Sequence, residues 1–187
     1  AGWVSAARGT DGWGALSASN GNLIKASAEI NEQLFPHILR GRNYRTDSGG
    51  AGQWRGGCGS HFVKEVRTPT LVNQYVVNQR HTHPGIAGGH NGAPDHCVVG
   101  SEWVNPAVSG ALLNTGERLV YDFGGGGGWG DPMQRDPKAV LDDVWDEYVS
   151  IDGAFRDYGV VITGALDDMT LALDHEATEL GRKQRTS

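Results

Sequence analysis

The sequence predicts a mainly β protein with its helices gathered at the C-terminus, an α+β chain. The β part is a glycine-rich sandwich or barrel-like domain, and two short helices follow it. Three observations predict this. β-branched and aromatic stretches recur about every ten residues between Gly, Pro and Asn clusters, as short strands joined by tight turns do. The 29 glycines cluster at residues 49–59, 85–92 and 124–130, between apolar stretches; they make up about twice the usual share of roughly 7%. Beyond residue 132 the apolar spacing becomes helical and acquires caps.

Taken in order, residues 1–39 read as an irregular docking segment. Its first 22 residues are rich in Gly, Ser and Ala, carry Trp3 and Trp13, and show no period. "ASAEINEQLFPHI" supports one short helical turn that Pro36 stops. Residues 40–131 form the glycine-rich β domain, with strands expected in "HFVKEVRT" (His61–Thr68), "TLVNQYVVNQ" (Thr70–Gln79), "HCVVGSEWV" and "RLVYDF". Residues 132–187 are the helical segment. Asp136 caps a helix with Pro137 at its first position and Val140, Leu141, Val144 and Tyr148 on one face. Ser150 caps a second, with Phe155 and Tyr158 inward and Gly159 as its stop. "GVVI" reads as a last buried strand, and the remaining tail as partly helical. No repeat of 20–50 residues is present.

Length and charge narrow the function. A chain of 187 residues holds one domain with a real core, or two small ones. A net charge of −6 argues against nucleic-acid binding, which needs clustered Lys and Arg. No apolar run approaches the roughly 18 residues of a membrane helix, and "AGWVSAARG" lacks the form of a signal peptide. Two cysteines are too few for a disulfide framework and point to a cytoplasmic setting.

The run "YDFGGGGGWGDPMQRDP" is not a phosphate loop. A P-loop continues with Lys and Ser or Thr, whereas Trp129, Gly130, Asp131 and Pro132 follow here. It reads as fixed architecture, with its N–H groups a candidate oxyanion contact. In "DSGGAGQWRGGCGSHF", Arg55 suits a carboxylate or phosphate, or an ion pair with Asp47. Cys58 is either a nucleophile with His61 as its base or a small buried hydrophobe. In "RHTHPGIAGGHNGAPDHC", His81, His83, His96 and Cys97 are the candidate metal ligands, although their spacing matches no known zinc finger and no metal is expected on this chain. Arg55, Arg80 and His83 are the pocket candidates. Two rival readings accompany these: a stand-alone Trp-rich sandwich that binds a ligand, and a zinc enzyme using the His81–Cys97 segment.

Taken together, "DSGGAGQWRGGCG", "HPGIAGGHNGAP" and "GGGGGWGDPMQRDPKAVLDDVWDEYVSIDGAFRDYGVVI" resemble the C-terminal part of the hydantoinase B/oxoprolinase family over Gly12 to Ile162. The resemblance implies an ATP-dependent hetero-oligomer. ATP and Mg would sit on a hydantoinase A-like ATPase subunit with an actin-like fold, which phosphorylates an amide, enol or bicarbonate oxygen. The B-type component would then take part in carboxylation of a ketone such as acetone or acetophenone, or in hydrolysis of a cyclic amide. A divalent metal (Mn, Zn or Fe) would belong to the N-terminal half of the B-type chain, which has no counterpart here. The chain is then a C-terminal subunit or fragment, inactive alone. Its residues 1–22 and the loops carrying Arg55 and His83 would face the missing half.

Overall fold

The computed structural model describes residues 4–13 and 27–185. Ser27 caps α1 (Ala28–Leu34) by accepting the Ile30 N–H, and the helix ends just before Pro36. Seven strands follow: β1 (His37–Tyr44), β2 (Ser60–Val66), β3 (Thr70–Tyr75), β4 (His96–Val99), β5 (Glu102–Trp103), β6 (Ala107–Leu113) and β7 (Arg118–Asp122). Five of them form one antiparallel sheet in the order β1-β2-β7-β4-β5. β3 and β6 pair as a separate antiparallel ribbon. The ribbon lies over one face of the sheet, where Val72, Val108 and Leu113 meet Val66, Val99 and Tyr121. The result is a sandwich; the sheet is open and does not close into a barrel. Sequence patterning passed over β6, where Gly110 at φ 67° breaks the strand signal.

A short 3-10 turn (Pro132–Gln134) leads into the helical part. Asp136 accepts the Lys138 N–H and starts α2 (Pro137–Trp145). Ser150 accepts the Gly153 N–H and starts α3 (Ile151–Tyr158), which Gly159 ends in the left-handed region at φ 63°. β8 (Val161–Thr163) and β9 (Ala172–Asp174) form a hairpin, and α4 (His175–Arg185) closes the described chain. Val140, Val144, Ala154, Tyr158, Val160 and Ile162 make a second core.

Two sequence expectations are corrected here. Phe155 does not point inward: Ala154 and Tyr158, one turn apart, occupy the buried face, and Phe155 lies half exposed beneath the Arg185 guanidinium. Tyr148 is not on α2, which ends at Trp145. Among the described residues no helix is long and apolar enough to cross a membrane.

Between the two cores lies a layer made of glycine backbone. Residues 124–128 run through its middle without pairing to any one neighbour. The Gly126 carbonyl accepts from Gly50 N–H, while the Gly126 N–H donates to Gly57. Gly127 accepts from Ala6, and Gly128 exchanges bonds with His90 and Ile86. The hydrogen bonds therefore fan out to surrounding segments, unlike those of a sheet strand. The segments come so close that side chains are excluded: a Cβ on Gly126 would sit 2.5 Å from the Val4 carbonyl oxygen and 2.8 Å from Ser5 N. Residues 4–13 take part, through bonds of Gly57 N–H to Val4 and of Gly12 N–H to the Arg55 carbonyl. Trp54 and Trp129 exchange two backbone bonds of 3.0 Å across the layer, with their rings edge-on at 5.1 Å.

Both cysteines are buried, Cys97 at 0% exposure and Cys58 at 2%. Burial, with Asp122 and Asp95 nearby, pushes the Cys97 thiol up to about 11, and burial likewise raises Cys58. Neither is therefore expected to react with an aromatic disulfide at mildly alkaline pH until the protein is unfolded, when both should. The absorbance of the released thiolate measures this, and rapid native-state labelling of either would contradict it.

Candidate functional site

The glycine layer surrounds a buried ionic network. Arg55 Nε lies 3.1 Å from Asp143 Oδ1, and Arg135 Nη2 lies 2.8 Å from Asp143 Oδ2. Arg135 also clamps Asp11 with both terminal nitrogens, at 2.7 and 2.8 Å. The second Arg55 contact is Nη1 to the Gly56 carbonyl at 2.8 Å, and the Tyr148 ring lies 4.7 Å from its guanidinium carbon. Burial alone would depress the pKa of Arg135; its bonds to Asp11 and the charges of Asp143 and Asp11 outweigh that and hold it above the ordinary guanidinium value. This is a closed set of opposite charges that ties α2 to the Arg55 loop and the N-terminal segment.

Arg55 therefore pairs with Asp143 and not with Asp47. The Asp47 carboxylate instead accepts the N–H and hydroxyl of Ser150, at 2.8 and 2.6 Å. Cys58 and His61 do not form a nucleophile–base pair: Cys58 Sγ contacts Arg55 and the Tyr148 carbonyl, whereas His61 Nδ1 lies 2.5 Å from Asp122. His83 Nδ1 donates to the Gly125 carbonyl at 3.0 Å, and Arg80 and His81 are exposed in the loop between β3 and β4. Arg55 and His83 both brace the glycine layer.

The candidate metal ligands are dispersed. His83 is held by the layer, Cys97 is inside the sandwich core, and His96 faces Asp122 with its ring edge-on to Trp103. Among the described residues no group of three or more His, Cys, Asp or Glu is placed to hold a metal ion. Four N–H groups of the glycine run are also engaged: Gly124 bonds Asp95 at 2.6 Å, Gly126 bonds Gly57, Gly127 bonds the Ser5 hydroxyl and Gly128 bonds His90. Those four are not free to cradle an oxyanion or a nucleotide phosphate.

Sequence reasoning missed a polar row on the sheet face turned away from the β3–β6 ribbon. Cross-strand register sets His61, Asp122 and His96 side by side on β2, β7 and β4. His61 Nδ1 is 2.5 Å from one Asp122 oxygen and His96 Nδ1 is 3.5 Å from the other. A carboxylate that holds Nδ1 leaves Nε2 to face outward for proton exchange. The pairing depends on strand register, which the spacing of these residues along the chain does not reveal. The described tryptophans form no common gripping face. Trp54 and Trp129 pack across the layer, Trp145 packs on the helical core and Trp103 is exposed. Trp13 is 55% exposed, and Trp3 lies outside the described residues.

Fold and site together define a β-sandwich and a helical unit joined by glycine backbone, with the buried charges of Arg55, Arg135 and Asp143 set against one another. The chain belongs to the hydantoinase B/oxoprolinase family, whose model matches residues 1–132. Caprolactamase subunit beta of Pseudomonas jessenii is 35% identical over 173 residues, covering 86% of this chain and 30% of that protein. The alpha subunit of acetone carboxylase from Xanthobacter autotrophicus is 27% identical over 195 residues, covering 83% and 25%. The crystal structure of ATP-dependent caprolactamase from Pseudomonas jessenii superposes with a TM-score of 0.80 at 30% identity, over 97% of this chain and 32% of that one. The chain thus spans about a third or less of the length of these relatives.

Proposed function

We infer that this chain is one segment of an ATP-dependent enzyme of the hydantoinase/oxoprolinase type. In this reading the assembled enzyme either carboxylates a ketone such as acetone or acetophenone, or hydrolyses a cyclic amide, through a phosphorylated intermediate made on a hydantoinase A-like ATPase subunit. One observation carries it: 86% of the chain matches only 30% of caprolactamase subunit beta. A nearly complete match to a fraction of a larger enzyme subunit is what a segment of such a subunit gives. ATP and Mg then belong to the ATPase partner, and the divalent ion to the complementary N-terminal half.

The part played by these residues is to present a rigid surface. Arg55 neutralises Asp143 and His83 braces Gly125, so both stiffen the loops that would meet the complementary half. The exposed Trp13 supplies an apolar contact for it. Reconstitution tests the reading. The 187-residue chain, the complementary half and the ATPase subunit are combined, each omitted in turn, and lactam hydrolysis or ketone carboxylation is followed with and without ATP. Turnover is expected only from the full set with ATP, and native mass spectrometry should find the chain bound to larger partners. Turnover by the chain alone, or undiminished turnover without it, overturns the inference.

A further inference from the structure

A cavity of about 340 Å³ opens on the ribbon-facing side of the five-stranded sheet. Its lining follows from the pleat. Leu39, Lys64 and Leu119 lie in register across β1, β2 and β7, and so do Arg42, Phe62 and Tyr121. Side chains two apart share a face, so cations and rings interleave on one wall. Phe123 completes the aromatic part, stacked on Tyr121 at 4.0 Å and edge-on to Phe62 at 5.8 Å. Among the described residues no Asp or Glu lines the cavity.

Among the described residues, its basic groups find no counter-charge like those of Arg55 and Arg135. Lys64 is half buried, and no hydrogen bond or ion pair engages its ammonium among the described residues. Burial lowers its pKa, which is the signature of a cation losing water without gaining an acid. His37, also in the wall, has a buried Nε2 with no hydrogen-bond partner. Burial and the Lys64 charge lower its pKa, against an opposing pull from Glu32. That carboxylate is turned to the Leu39 N–H at 2.8 Å. The Arg42 guanidinium carbon stands 5.7 Å from the centre of the Phe62 ring.

We propose that this cavity binds a small organic carboxylate with an aromatic or aliphatic body, the carboxylate against Lys64 and Arg42 and the body among Phe62, Tyr121 and Phe123. Pockets of this size pair an apolar lining with a few polar groups that fix orientation. Inorganic phosphate has no apolar body to match the aromatic wall, and a neutral amide would bring Lys64 no acid. The site stands whichever reaction the assembled enzyme performs.

Titration of the purified protein with phenylacetate, read by calorimetry and by amide NMR shifts, tests the site. Saturable one-to-one binding is expected, with shifts centred on β2 and β7. Phenylacetamide should bind about tenfold or more weakly, and Lys64→Met should lose affinity by a similar factor, as expected when a charged hydrogen bond is removed. The same substitution should leave the melting temperature unchanged or raised, because it removes a half-buried cation that no acid among the described residues pairs. Leu119→Trp, which fills the cavity and spares Lys64, should abolish binding and serves as the second variant. Absence of saturable binding, equal affinity for phenylacetamide, undiminished binding by Lys64→Met or Leu119→Trp, or displacement by inorganic phosphate at equal concentration each overturns the proposal.

Discussion

Replacing Asp143 with Ala is expected to lower stability by about 3–5 kcal/mol, the usual consequence of breaking a buried ion pair from one side. In a chain of this size that is a fall of roughly 6–20 °C in melting temperature. The size follows from what the substitution strands. The Arg55 and Arg135 side chains are only 7% and 4% exposed, and Asp143 is the carboxylate they share. Arg135 would keep Asp11, but Arg55 would keep only the Gly56 carbonyl, the Cys58 sulfur and the Tyr148 ring. A guanidinium cannot escape by losing its proton at any ordinary pH. Asp143→Asn should fall between, since an amide oxygen still accepts a hydrogen bond. The exposed i,i+4 pair of Lys138 and Asp142 provides the control: Lys138→Ala should change stability by less than about 1 kcal/mol. Thermal melts of the three variants decide the matter, and a melting temperature for Asp143→Ala within two or so degrees of wild type, outside the roughly 6–20 °C range, would sink the network as a stabilising element.

Gly126→Ala should be at least as damaging, by about 3 kcal/mol or more, at the upper end of overpacking losses. Most overpacked positions relax because a neighbouring side chain changes rotamer. Here the nearest atoms are the backbone of Val4 and Ser5, which cannot turn aside without breaking the bonds from Gly57 and Ala6. Gly41→Ala is the matched comparison. Its added methyl would meet the Val63 side chain at 3.7 and 3.8 Å and the His61 ring at 4.0 Å, all ordinary contacts with side chains. Soluble yield and denaturant midpoints should therefore separate the two alanines widely. If both behave alike, the close packing of the glycine layer is not what excludes side chains there.

These two sites show where sequence reasoning stops. Helix signals were legible because they are local: Asp136, Pro137, Ser150 and Gly159 each act within a turn of their own position. The glycine clusters were legible as fixed architecture, but they read as separate turns and bulges. Nothing in their spacing says that the three would stack on one another, since glycine carries no side chain to signal a partner. For Arg55 the sequence offers a ligand anion or Asp47, eight residues away, because proximity along the chain is the guide it provides. Its partner on α2 did leave a trace: Asp143 lies beside Val144 and one turn from Val140, on the buried face of an otherwise apolar pattern. A charge at such a position demands a counter-charge from elsewhere in the chain. The His61–Asp122–His96 row left no comparable trace, since strand register is set by pairing in three dimensions.

The glycine layer also shapes how the protein must come together. Its bonds join Val4 to Gly57, Gly50 to Gly126 and His90 to Gly128, so it forms only when four remote stretches have arrived. Such long closures are slow, because chain entropy is lost before any contact repays it. Until then the sandwich and the helical unit are tethered bodies, each with an unsatisfied backbone edge. Assembly of this polypeptide is thus expected to wait on its most featureless residues, with bare main chains meeting after the side-chain cores have taken shape.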